Sequence, residues 1–374
     1  MPEADHSSIA AAALQAEAWA GEPFLREDED PGAALAPGTA RRRALDDARA
    51  EIDAGLREPS QGWKVRYGLM LGLERVLSAK PPSLATGLEL RRHQIDALAG
   101  MLTELIAANQ RDDEPANGNG NGHATAGMDE LEEEDEELEP LDGELEDDED
   151  APLSPEEDPG AVRRFRFRHP TASGKTVAAA GFVEAARTLG VLILTHRRLL
   201  VTQFQRDLTD NGYRDRFCDA ILEGQSIRKE RPITIQTYAW FARHAGDIAR
   251  DAYQLVICDE AHTALGEKTS AAIRSFHEPV YIGMTATEEL IAKQVSDVFP
   301  ASVDDLPLAD AARRGLIAPL RCLRVPPVAA IIAVPIVGGD FDEGALAAVL
   351  DREVLNQAAA SLYRERFDNT PGIV

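Results

Sequence analysis

From residue 161 onward, short apolar runs alternate with stretches of helical spacing. The runs fall at 191–194, 233–235, 255–258 and 280–282. Each is apolar on both faces over three or four positions, which suits strands buried in a parallel sheet. Between them, 177–189 and 199–208 repeat apolar residues at the helical period. Repeated strand–helix alternation predicts an α/β domain around a central parallel sheet. A further strand is expected over 162–168. It is unusual, because Arg163, Arg164, Arg166 and Arg168 interrupt Phe165 and Phe167. Such a strand must either let its arginines escape at a sheet edge or give them charged partners.

The amino-terminal part, residues 1–111, reads as helical. Segments 39–56, 62–79 and 88–108 carry apolar positions at helical spacing, and Pro81-Pro82 separates the last two. At the other end, Pro326-Pro327 opens a new segment, 326–374. It contains a helical stretch at 343–367, then a turn at Asn369-Thr370-Pro371-Gly372 that leads into Ile373-Val374. The chain divides accordingly into a helical region (1–111), an insert (112–160), the α/β domain (161–325) and the segment 326–374. No tandem repeat is present.

Charge changes the picture in one place. The formal net charge is −26, but residues 112–160 hold 22 Asp and Glu with no Lys or Arg, and leaving them out takes the net to −4. The insert also contains an Asn-Gly repeat at 117–122. It cannot bury enough apolar surface to offset the entropy of ordering, so disorder is expected there. The remainder is mildly acidic, which leaves room for a basic nucleic-acid face. Cys218, Cys258 and Cys322 lack metal-site or CxxC spacing and read as reduced thiols. The start of the chain has no secretory pattern, and no apolar run approaches the ~18 residues of a membrane span. A soluble, cytoplasmic protein is expected.

Two motifs carry chemistry. His169-Pro170-Thr171-Ala172-Ser173-Gly174-Lys175-Thr176 follows the expected strand and opens a helix, the setting of a phosphate-binding loop. There, backbone N–H groups and the helix dipole favour phosphate. Lys175 is placed to reach the β- and γ-phosphates of ATP, and the Thr176 hydroxyl to ligate Mg²⁺. Gly-Lys-Thr alone is a weak signal, and His169 stands where the general pattern has glycine. The second motif strengthens it. The apolar run 255–258 ends in Asp259-Glu260-Ala261-His262. Asp259 is placed to hold Mg²⁺, and Glu260 is the candidate base for the attacking water. Ligands of open α/β sheets gather at the carboxyl ends of strands, so the two motifs can meet there.

With both motifs in hand, the chain resembles a superfamily 2 helicase of the DEAH type, near the restriction-enzyme and DNA-repair branch. Residues 170–176 resemble motif I and Asp259 to His262 match motif II. Thr285-Ala286-Thr287 resembles motif III, which in that superfamily couples hydrolysis to movement and commonly meets the motif II histidine, here His262. Residues 194–200, with Arg197 and Arg198, resemble motif Ia, and 234–238, with Thr237, resemble motif Ib; both usually touch the phosphate backbone. Residues 90–98 resemble the Arg-x-x-Gln helix whose glutamine, here Gln94, often reads adenine. The resemblance implies a RecA-like P-loop NTPase domain that uses ATP and Mg²⁺ and acts on nucleic acid. DNA is favoured over RNA, with restriction or repair subunits as partners.

Two departures qualify it. Ala172 stands where the family usually has glycine, which strains the loop if that position needs φ > 0. The chain also stops where motif IV would begin, so the second RecA-like domain, with its arginine finger, is only begun. Slow ATP hydrolysis and no unwinding are therefore expected of this chain. The alternatives are a restriction endonuclease motor subunit and a nucleotide-gated, non-hydrolysing scaffold. The acidic insert beside four arginines further suggests that it masks basic surface and competes with DNA.

Overall fold

The computed structural model describes residues 2–111, 158–225, 229–286, 292–318, 334–337 and 340–367. It falls into two units, Met1–Ala318 and Pro319–Val374.

The first unit opens with helices α1 (Pro2–Ala20), α2 (Pro31–Ala34) and α3 (Ala40–Asp53). Thr39 caps α3 by accepting from the Arg42 N–H. Next come α4 (Gln61–Trp63), a π-helical turn at Lys64–Gly68, α5 (Leu69–Ser78) and α6 (Arg92–Arg111). The α/β part follows as β1 (Arg164–Arg168), α7 (Lys175–Ala185), β2 (Val191–Thr195), α8 (Arg198–Asp210), β3 (Ile233–Thr237) and α9 (Tyr238–His244). It continues with β4 (Leu255–Asp259), α10 (Glu267–Ser275), β5 (Val280–Thr285), α11 (Ala292–Val298), β6 (Ala301–Asp305) and α12 (Leu308–Arg313).

Six parallel strands form one sheet in the order β3-β2-β4-β5-β1-β6. The five expected strands are present, and the fold is the RecA-like α/β class. Strand β6 is the addition. It is a partly exposed edge strand of sequence Ala-Ser-Val-Asp-Asp, with no apolar run to announce it.

Side chains alternate across a strand, so each face of the sheet needs its own cover. Val191 and Ile193 of β2 join a core with α7 and the amino-terminal helices, whereas Leu192 and Leu194 join a second core with residues of α9 and α10. The amino-terminal helices are thus one layer of the sheet's packing. Their approach is close enough to require glycine. A Cβ on Gly72 of α5 would lie 1.8 Å from the Ala185 carbonyl oxygen, and one on Gly100 of α6 would lie 2.0 Å from that of Val303.

The arginines of the 162–168 region find partners within the fold, which corrects the expectation that they offer free basic surface to the insert. Arg164 is fully buried, pairs with Asp158 and donates to the Val298 carbonyl. Arg163 donates to the carbonyls of His277 and Glu278, and Arg166 to those of Phe299 and Pro300. Arg168 makes a two-point contact with Asp305, both bonds 2.7 Å. Strand β1 lies next to the edge strand, and β6 with the turn before it supplies most of these acceptors. Asp158, assigned above to the insert, is buried and belongs to the folded unit. The expectation of disorder covers 112–160; residues 158–160 are part of the fold, and 112–157 lie outside the described residues.

In the second unit, β7 (Ile336–Val337) pairs antiparallel with β8 (Asp340–Phe341), followed by α13 (Glu343–Leu350) and α14 (Glu353–Phe367). The expected helical stretch over 343–367 holds two helices separated at Asp351-Arg352, where the Asp351 carboxylate accepts from Asn356. Pro326-Pro327, Cys322 and Ile373-Val374 lie outside the described residues. No helix among the described residues is long and apolar enough to cross a membrane.

Candidate nucleotide site

The site forms at the carboxyl ends of β1, β5 and β4, which are consecutive in the sheet. Their ends are level: Arg168 is in register with Thr285, and Asp259 with Met284. The chain leaves β1 through His169, whose N–H donates to the Thr285 carbonyl at 3.0 Å, and then curls from Pro170 to Gly174 before α7 starts at Lys175.

Two residues of that curl have left-handed backbone, Ala172 at φ 63° and Gly174 at φ 92°. The departure at Ala172 therefore carries the strain anticipated for it. The N–H groups of Gly174, Lys175 and Thr176 have no carbonyl acceptor among the described residues, and Ser173 N–H turns back to Pro170. A helix start with unpartnered N–H groups following an αL turn is an anion-binding geometry. The Ser173 hydroxyl is also buried without a hydrogen-bond partner among the described residues. Thr171 and Ala172 are exposed at the tip, Pro170 is buried behind it, and Thr176 is half-buried.

From β4, Asp259 and Glu260 face this loop. Lys175 Nζ lies 3.0 Å from Glu260 Oε1. Asp259 is buried, and burial foremost, then the adjacent Glu260 charge, push its carboxyl up to about 6 against the opposing pull of Lys175. Glu260 is itself left-handed at φ 46°, an uncommon conformation that turns the chain sharply at the strand tip. The Tyr238 hydroxyl, fully inside the core, donates to the Asp259 carbonyl at 2.8 Å and braces that tip.

His262 Nδ1 is 3.2 Å from Thr285 Oγ1 and 3.7 Å from Glu260 Oε2. It thereby links the end of β4 to the end of β5. Burial lowers its pKa, while Glu260 pulls the other way. Thr287 lies outside the described residues.

Gln94 is buried, not a surface residue. Its Oε1 accepts from the Arg91 N–H at 2.8 Å, and its Nε2 donates to the Gly174 carbonyl at 3.1 Å. The amide thus ties the start of α6 to the loop. Arg197 and Arg198 are exposed at the start of α8, and neither makes an ion pair among the described residues. Thr237 caps α9 by accepting from the Trp240 N–H at 3.2 Å.

Sequence reasoning missed several contributors. His93 is buried, and its Nε2 donates to the Ser173 carbonyl at 2.8 Å. His169 donates from Nε2 to Asp304 of β6 at 2.7 Å, and the two imidazoles lie 5.3 Å apart edge to face. Together they clamp both ends of the loop. His169 drew notice only as a missing glycine, and Asp304 sits on the strand that had no apolar signature. His196 also lines the approach to the site. Burial lowers its pKa, Arg197 adds to that, and Glu260 opposes both.

The fold and the meeting of loop and acidic strand tip define a helicase-type motor domain of superfamily 2. The chain belongs to the family described as type III restriction enzyme, res subunit, which it matches over residues 87–290, more than half its length.

Among solved structures it is similar to the Hef helicase domain of Pyrococcus furiosus (20% identity, 38% of this chain and 35% of that one, TM-score 0.31). It is also similar to the UvsW helicase of bacteriophage T4 (16%, 39% and 54%, TM-score 0.30). A third is a hypothetical ATP-dependent RNA helicase from Sulfolobus tokodaii (21%, 38% and 48%, TM-score 0.31). The matched part spans 35% to 54% of those chains. No curated protein matches the sequence.

Proposed function

We propose that this chain is the ATP-binding portion of a DNA-dependent motor, working as a DEAH-type ATPase. Its first RecA-like domain is the α/β part of the first unit, from 158 to 318, with the helical region 2–111 packed on it and an acidic insert at 112–157; residues 319–374 form the second unit. One observation carries the reading: the loop whose Gly174, Lys175 and Thr176 N–H groups have no carbonyl acceptor among the described residues brings the Lys175 ammonium to Glu260 at the tip of β4.

The donor set fits Mg-ATP. Thr176 and Asp259 offer hard oxygens for Mg²⁺, which takes few protein ligands and shares the rest with phosphates and water. Gly174, Lys175 and Thr176 offer N–H donors to phosphate oxygens, with Pro170, Thr171, Ala172 and Ser173 shaping the loop. When bound, the Mg-triphosphate supplies the electrophilic phosphorus and the metal's charge.

The chain's own residues do the rest. Lys175, once drawn to phosphate, releases Glu260 Oε1 to accept a proton from water. His262 holds Glu260 and Thr285 in one frame, so a change at the carboxylate is felt at the end of β5. Gln94 fixes the loop through Gly174. Arg197 and Arg198, exposed and without an ion pair among the described residues, suit the phosphates of a nucleic-acid strand. The preference for DNA over RNA rests on the family.

The test is ATP turnover by the whole chain with and without single-stranded DNA. Slow hydrolysis that DNA stimulates and that Glu260→Gln removes supports the motor. Hydrolysis indifferent to Glu260→Gln overturns it, and tight nucleotide binding without any turnover favours a nucleotide-gated scaffold.

A further inference from the structure

Beside the nucleotide site, a groove of about 710 Å³ runs between α8, the outer edge of β3 and the start of α9. Its wall holds an unusual combination. Trp240 is half-buried, and His244 is stacked on its indole with centroids 4.6 Å apart and planes within 14°. The imidazole is itself anchored to the Trp240 carbonyl at 2.8 Å, so the indole is braced. The indole N–H and the carboxamides of Gln205 and Gln236 have no hydrogen-bond partner among the described residues. Arg198 and Arg243 bring positive charge, against the single carboxylate of Asp219. His196 lines the same groove and lies within the field of Glu260, so groove and nucleotide site are neighbours.

These groups match the parts of a nucleotide in a strand. A rigid aromatic ring suits the face of a base, free amides suit its hydrogen-bonding edge, and guanidinium groups suit the flanking phosphates. Phosphate contact alone would be served by Arg197 and Arg198 at the start of α8 and would need neither the ring nor the amides.

We infer that the Trp240 groove takes an unstacked base of single-stranded DNA, so that this domain holds its strand by a base as well as by the backbone. The inference rests on the nucleic-acid reading above. It adds a base-dependent contact, tolerant of sequence, because every base has a face to stack.

The experiment compares a short oligothymidine with an abasic strand of equal length, by fluorescence anisotropy with the whole chain at low salt. The unmodified chain should bind the base-bearing strand at least about tenfold more tightly. Trp240→Leu should bring that ratio to about one and leave the abasic affinity unchanged, while Trp240→Phe, which keeps a ring, should retain most of it. The paired change Arg197→Ala with Arg198→Ala should weaken both strands together. Trp240 emission should be quenched by the base-bearing strand only.

Equal affinity of the unmodified chain for the two strands overturns the inference and leaves the nucleic-acid reading standing. So does a ratio that survives Trp240→Leu. Binding of neither strand overturns both.

Discussion

Lys175 and Glu260 form an ion pair at 3.0 Å although the strands they follow, β1 and β4, are not neighbours, because the level end of β5 lets them meet over its tip. Without nucleotide, the ammonium that should meet phosphate and the carboxylate that should meet water neutralise each other. Glu260→Gln removes that competition for Lys175. Its ATP affinity should be equal to or tighter than that of the unmodified chain, while turnover falls by ~10²-fold or more. Titration with a fluorescent ATP analogue alongside phosphate release measures both. Affinity lost in step with turnover would mean that Glu260 serves binding.

Ala172 tests the strain in the loop. A non-glycine residue at φ 63° bears a left-handed penalty of ~1–2 kcal/mol, partly cancelled in a comparison with glycine by the freer unfolded chain. Ala172→Gly should therefore leave stability unchanged or raise it by up to about 1 kcal/mol, and Ala172→Val should lower it by more than about 1 kcal/mol. Thermal melting decides the sign.

Asp158 tests the local neutralisation of the arginine-rich strand. Its carboxylate serves the fully buried Arg164, with Arg274 at 3.4 Å. Asp158→Ala leaves a buried guanidinium without its counter-charge and should cost about 3–5 kcal/mol. Adding Arg164→Met should recover a good part of the loss. Denaturant unfolding of the single and double variants reads it, and a loss under about 1 kcal/mol would show that Arg164 does not need the pair.

His93 gives the loop a pH dependence. Burial lowers its pKa, and His169 and Arg91 act the same way, while the Ser173 carbonyl and Asp304 oppose them. The unfolded chain takes up this proton near 6.5, above the native value. The stability His93 contributes is thus full above 6.5 and is lost as pH falls from there towards the lowered native pKa. His93→Gln keeps a donor for Ser173 and cannot titrate. Its deficit in melting temperature against the unmodified chain should shrink from about pH 7.5 to about pH 5.5. A constant deficit would contradict the assignment.

Much of this site was legible because its chemistry is packed into local strings. Residues 170–176 and 259–262 each combine an element boundary with the polar residues that act there, and the apolar runs before them locate the strand tips. What sequence could not supply was the connection between strings. β6 lacks an apolar run because it is a partly exposed edge, so the partners Asp304 and Asp305 stayed hidden. The arginines of β1 looked like free charge because their acceptors, mostly backbone carbonyls around 298–300 and the Asp305 carboxylate of β6, are distant in sequence. Gln94 stood out only through its resemblance to the Arg-x-x-Gln helix, and its packing under Gly174 needed the fold. The groove at Trp240 needed β3, α8 and α9 placed together before its ring and amides could be seen as one surface.

The central claim is that Lys175, Thr176 and Asp259 hold one magnesium-bound triphosphate. Calorimetric titration of ATP into the whole chain, with Mg²⁺ and with excess chelator, tests it most directly. The unmodified chain should bind in a Mg²⁺-dependent manner, Lys175→Ala should weaken binding by ~100-fold, and Thr176→Ala and Asp259→Asn should each abolish most of the Mg²⁺ dependence. ATP affinity indifferent to Mg²⁺ and unchanged by Lys175→Ala would contradict it.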